Sequence, residues 1–195
     1  MSVVTPIRIT LTTFVDFLTA SPRARHGVIK RSIRFLDDDA DFAAKAYYLS
    51  LRHGVVAMFK SDDPSHLQRA VQTAHPGRKP NYLACQTGIM RWFRGRRRRI
   101  EWTGVDPRTW THGGLEVRVT PELGLRIDGE RYVIKLVFKD EEYDQTRVHT
   151  ALRLLQICYP GMAVGLLHAR TGKLYTPTKV TETVDALLHG EASSF

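Results

Sequence analysis

The sequence has little of what marks an extracellular or membrane protein. It holds two cysteines, Cys85 and Cys158, in apolar stretches without metal-type spacing. That excludes a disulfide framework and a zinc finger, and both read as buried thiols of a reducing compartment. No apolar run reaches transmembrane length, and residues 1–18 show no basic segment followed by a long apolar core. A cytoplasmic protein that keeps clear of membranes is the expectation. A glycine-rich phosphate loop, a Gly-x-Ser-x-Gly elbow and an HExxH helix are all missing, which argues against the nucleotide-hydrolase, esterase and zinc-protease classes those motifs serve. Cys158 sits on an apolar face with no activating base beside it in sequence, so it does not read as a nucleophile.

Acid is scarce as well. The chain has 20 Asp and Glu against 29 Lys and Arg, a net charge of +9 and a pI near 9.8. Such a surplus favours a polyanionic partner, of which nucleic acid is the commonest. DNA is expected ahead of RNA; a homodimer or a protein partner is a further expectation, and the charge suits an acidic one. Much of the surplus lies in one segment, Arg91-Trp92-Phe93-Arg94-Gly95-Arg96-Arg97-Arg98-Arg99, six arginines in nine residues. Arginines interleaved with aromatics suit phosphate contacts and base stacking. A solvated charge run with Trp92 and Phe93 as ordinary core is the plainer alternative. The acidic run Asp37-Asp38-Asp39 with Asp41 reads as helix capping rather than a metal site, because ligands must converge from several elements.

The patterning divides the chain into a helical N-terminal part, residues 1–95, and a mixed α/β part, residues 96–195. A weak strand at 5–11 precedes helices expected near 13–20, 40–59, 63–73 and 81–93, with residues 21–30 as a basic connection. A strand at 98–103 and a loop carrying Asp106-Pro107 and His112-Gly113-Gly114 lead into residues 115–139, LEVRVTPELGLRIDGERYVIKLVFK. This is a hairpin turning at Asp128-Gly129. If those residues form a two-residue loop, Leu125 faces Tyr132 and Glu122 faces Lys135. One face then carries Leu123, Leu125 and Ile127 against Tyr132, Ile134, Leu136 and Phe138, and reads as core. The other carries Glu116, Arg118, Glu122 and Gly124 against Val133, Lys135, Val137 and Lys139, and reads as half-polar. A helix at 143–158, a buried strand at 162–169, a short return strand at Leu174-Tyr175 and a last helix at 179–189 complete an α/β fold with a mixed sheet of about five strands flanked by helices.

Helix, three antiparallel strands, helix, strand, with Pro121-Glu122 before a turn and Lys135 on the following strand: in this the chain resembles the PD-(D/E)XK, or restriction-endonuclease-like, superfamily. The resemblance covers roughly residues 98–170. It implies Glu122 as a metal-binding acid and Lys135 as the lysine that orients or deprotonates a water. The implied cofactor is Mg²⁺ or Mn²⁺, and the implied activity is hydrolysis of phosphodiesters. Arg91, Trp92, Arg94, Arg96, Arg97, Arg98, Arg99 and Lys139 are the expected nucleic-acid contacts. The position two before Lys135 is Val133, where the superfamily places a second acid. Asp144 or Asp41 would have to supply it from a helix; without it, the chain is a non-catalytic nucleic-acid-binding or protein-docking module. The alternative role for Glu122 and Lys135 is a cross-strand ion pair on a solvated face, with no function needed. His149 and His168 are the histidines nearest this region, and a lone histidine is usually structural.

Overall fold

The computed structural model describes residues 6–37, 47–96, 99–140 and 143–193. Within them the chain forms β1 (Ile7–Thr10), α1 (Leu11–Thr19), α2 (Pro22–Asp37), α3 (Leu49–Ser61), α4 (Ser65–Gln72), α5 (Lys79–Arg94), β2 (Ile100–Trp102), β3 (Arg108–His112), β4 (Leu115–Val119), β5 (Leu123–Ile127), β6 (Glu130–Val137), α6 (Gln145–Cys158), β7 (Ala163–His168), β8 (Lys173–Tyr175) and α7 (Asp185–Ser193). A mixed sheet runs β2-β5-β6-β7-β8, and a smaller one runs β1-β4-β3. In the larger sheet β2, β5 and β6 are antiparallel, α6 crosses over to place β7 parallel to β6, and β8 returns antiparallel. The expected α/β architecture with a five-stranded mixed sheet flanked by helices is therefore present. The three-stranded sheet is additional. Its β1 comes from the N-terminal part and pairs parallel with β4. No helix among the described residues is long and apolar enough to cross a membrane.

The hairpin register is the expected one. Asp128 and Gly129 have φ of 52° and 87°, both in the left-handed region that a two-residue type I′ turn requires and that Asp and Gly tolerate. Ile127 then faces Glu130, Leu125 faces Tyr132 and Leu123 faces Ile134.

Three local expectations are corrected. Residues 22–37 form helix α2 and not a connection: Pro22 stands at the first helical position, where its missing N–H costs nothing. The stretch before the hairpin contains strand β3, which pairs with β4 around the Gly113-Gly114 turn. Residues 115–127 are not one strand. The chain leaves the small sheet after Val119 and joins the large sheet at Leu123. Pro121, which has no N–H to give a ladder, stands at the crossing. The expected helix start near residue 40 and the acids Asp38, Asp39 and Asp41 lie outside the described residues.

Both faces of the large sheet are covered. Leu123, Leu125, Ile134, Leu136 and Phe138 pack against α3, α4 and α5 through Leu51, Met58, Leu67, Cys85 and Phe93. Val133, Val137, Val164 and Leu166 pack the other way, against α1, α6 and the small sheet. The half-polar face is thus interior: Val133 is 1 % and Lys135 9 % exposed. Its burial comes from a layer that strand alternation cannot reveal.

The cysteines lie one on each side of this sheet, and both are free and buried. Burial pushes each thiol from about 9 up to about 11, against a smaller opposing pull from Arg170 at Cys85 and from Arg108 at Cys158. A thiol whose pKa is higher in the folded state adds stability that is complete below its unfolded value and disappears as pH rises through the folded one. The melting temperature is therefore expected to fall between pH 9 and 11. In mildly alkaline buffer a thiol reagent should label both residues only as fast as the protein unfolds, which stopped labelling with and without urea will show.

Candidate functional site

Where β4 gives way to β5, the ladder with β6 runs out, and backbone groups of both strands need other partners. Glu122 and Lys135 supply them. Lys135 Nζ donates to the Thr120 carbonyl at 2.8 Å and to Glu122 Oε1 at 2.7 Å. The other carboxylate oxygen, Oε2, accepts from the Leu136 N–H at 2.8 Å. From α3, Arg52 brings its Nε to 3.0 Å from Glu122 Oε1 as an ion pair. That nitrogen is buried without hydrogen-bond geometry to any acceptor. Arg52 also lies over the Phe138 ring, 5.5 Å from its centroid. Tyr48 stacks on Phe138 with ring centroids 5.1 Å apart, and on Tyr82 at 6.0 Å. The side chains of Glu122 and Lys135 are 5 % and 11 % exposed. This is a buried, multiply hydrogen-bonded pair, not a surface ion pair.

The expected cross-strand meeting of Glu122 and Lys135 is therefore present, and Arg52 joins it. Sequence patterning did not single out Arg52, because it sits in the first turn of α3 without a motif. The available signal was the spacing of Arg52, Val56 and Lys60, which puts all of them on one face of α3.

The residues around Glu122 do not fit a divalent cation. A hard cation needs several oxygen ligands. Oε1 faces two cationic groups, Oε2 is held by a backbone N–H, and Val133 is buried apolar surface. Among the described residues no other acid reaches the pair. Asp128 is at the hairpin turn with Arg99, 3.2 Å away. Asp144 caps α6 by accepting from the Arg147 N–H at 2.8 Å. Glu116 belongs to the small sheet and binds Arg8 at 2.8 Å. Nowhere among the described residues do three His, Cys, Asp or Glu side chains come together. His149 Nδ1 meets Thr181 Oγ1 at 2.9 Å, and His168 Nδ1 meets Thr171 Oγ1 at 3.0 Å, both away from Glu122.

The expected nucleic-acid contacts separate by burial. Trp92 is 2 % exposed and packs edge-on to Phe59, so its ring has no face for a base, and this candidate is corrected to core. Arg96 lies over it from outside, 5.3 Å from its centroid. Arg91, Arg94 and Arg99 are exposed. Arg91 donates to the Thr171 carbonyl at 3.3 Å, and Arg99 pairs with Asp128. Lys139 is held by both carboxylate oxygens of Asp16, at 2.9 and 3.0 Å. Arg97 and Arg98 lie outside the described residues.

Two further arginines, missed in the sequence, join this basic end. Arg126 and Arg131 are direct partners across β5 and β6, and both are exposed. Like charges placed opposite each other in a sheet destabilise it. Glu101, 3.7 Å from Arg126, is the one acid paired with either of them among the described residues. The Asp128-Gly129 register itself carried the signal, since it sets Arg126 opposite Arg131.

No protein-family model matches the chain, and comparison with curated proteins gives no match.

Proposed function

We propose that this chain is a nucleic-acid-binding module with a restriction-endonuclease-like core that holds its ligand without cutting it. The observation that carries the reading is the exposed arginine pair Arg126–Arg131 at the hairpin end, two cations with the single acid Glu101 beside Arg126, next to the strand that Arg99 precedes, with Arg91 and Arg94 exposed on α5. A cross-strand arginine pair costs stability in the free protein, and a phosphate backbone removes that cost. The order α5, β2, β5, β6, α6, β7, with β3 and β4 of the small sheet inserted between β2 and β5, supports the nuclease-like core. The use of Glu122 as a partner for Lys135, Arg52 and the Leu136 N–H supports binding over hydrolysis.

Affinity should depend steeply on salt, because neutralised phosphates release counterions. The double variant Arg91→Ala/Arg94→Ala is expected to reduce the slope of log K against log salt by about 2, roughly one for each phosphate no longer neutralised. Arg126→Ala/Arg131→Ala should weaken binding similarly while raising the melting temperature. Anisotropy titrations of labelled duplex DNA, single-stranded DNA and RNA at several salt concentrations measure the affinities, and thermal melts the stability. Unchanged slopes in both double variants would reject the surface assigned here.

A further inference from the structure

We propose that the cleft between α1, α3 and the β4–β5 crossing binds a phosphate monoester without a divalent cation. The cleft has a volume of about 740 Å³. Its charged lining is Arg52, His53 and Lys60 from α3, Lys135 from β6, and one acid, Glu122. Arg52, Lys60 and Lys135 are three fixed cations against one carboxylate, a surplus of two charges. A phosphate monoester carries about −1.5 to −2 near neutral pH, whereas a phosphodiester carries −1. The monoester is the match.

The donors are available. Lys60 and His53 are exposed and make no ion pair or hydrogen bond among the described residues. Arg52 has its Nε beside Glu122 without a hydrogen bond, and its terminal nitrogens have no hydrogen-bond partner among the described residues. The carboxylate does not compete for the site, since Lys135, Arg52 and the Leu136 N–H already surround it. The remaining lining suits the rest of a nucleotide. Tyr48, Val56 and Pro121 offer apolar surface, and the Tyr48 ring is fixed by its stacking on Phe138. Arginine and lysine converging on one phosphate form charge-assisted hydrogen bonds, about twice as strong as neutral ones.

Two sources carry this chemistry, the 5′-phosphorylated end of a strand and a free mononucleotide. Only the first rests on the nucleic-acid reading above. The test is calorimetric titration of the full chain in EDTA with a nucleoside 5′-monophosphate, the parent nucleoside, and one oligonucleotide bearing either a 5′-phosphate or a 5′-hydroxyl. The monophosphate should bind and the nucleoside should not. A strand-end ligand predicts that the 5′-phosphate raises oligonucleotide affinity by about tenfold or more. Lys60→Ala, an exposed change that leaves the buried pair intact, should remove most of that advantage, and Arg52→Lys should do the same. Monophosphate binding with no oligonucleotide binding supports the cleft and rejects the nucleic-acid reading. Oligonucleotide binding that ignores the 5′ end, with no monophosphate binding, overturns the cleft and leaves that reading standing. Monophosphate binding unchanged in both variants also overturns it.

Discussion

Glu122→Ala is expected to destabilise the protein by about 3–5 kcal/mol, the cost of leaving a buried charge without its partner. The substitution strands the Lys135 ammonium, 11 % exposed, and removes the acceptor of the Leu136 N–H. Lys135→Met should cost less, because Glu122 keeps Arg52 and the Leu136 N–H. The double variant should then cost less than the two single effects added together, with a coupling of about 1–3 kcal/mol. Urea unfolding of the four proteins gives these values directly. A loss under about 1 kcal/mol for Glu122→Ala is what a solvated surface pair would give. It would mean that the carboxylate is not holding the β4–β5 crossing together.

The second large effect belongs to Gly124→Ala. A Cβ on Gly124 would run into the carbonyl carbon and oxygen of Gly104, far inside van der Waals contact, and would stand 3.0 Å from the Val105 Cβ. The Gly104 atoms are backbone and cannot swing away. They also belong to the segment that closes this side of the sheet, since the Thr103 and Gly104 N–H groups both donate to the Gly124 carbonyl, at 2.9 and 3.1 Å. The expected cost is about 3 kcal/mol, the upper end of the range for overpacking. Gly95→Ala is the control: its nearest neighbours are 3.9 Å or more away, and the change should stay within about 0.5 kcal/mol. Thermal or urea unfolding of the pair separates a steric cost from a general intolerance of side chains at glycine positions.

The legible parts of the chain are those specified locally. The Asp128-Gly129 turn set the hairpin register, and from it the meeting of Glu122 with Lys135. The 3.6-residue spacing of Val148, Leu152 and Leu155 marked α6, and Pro160-Gly161 its end. The illegible parts depend on what packs where. Strand alternation sorts Gly124, Val133 and Lys135 to one face, but it does not say that α6, the next element, and α1, more than a hundred residues away, both pack on that face. The small sheet escaped notice because β3 is five residues, RTWTH, bracketed by turn signals, and because β1 finds its parallel partner β4 more than a hundred residues away. Helix α2 was hidden by the charge of its N-terminal half and by Gly27, both of which also suit a connection. Arg52 reaches Glu122 only once α3 is laid on the sheet, so the element that most changes the chemistry of Glu122 was invisible until the fold was known.

The distinction between holding and cutting is measured most directly on one gel. Labelled single-stranded and duplex DNA and RNA are incubated with purified protein in Mg²⁺, in Mn²⁺ and in EDTA, then resolved under native and denaturing conditions. A mobility shift of equal strength in all three, with every strand intact, is the predicted result. Shortened strands that appear with either metal and vanish in EDTA would contradict the account, because a carboxylate enclosed by Lys135, Arg52 and the Leu136 N–H has no place for the ion such cleavage needs.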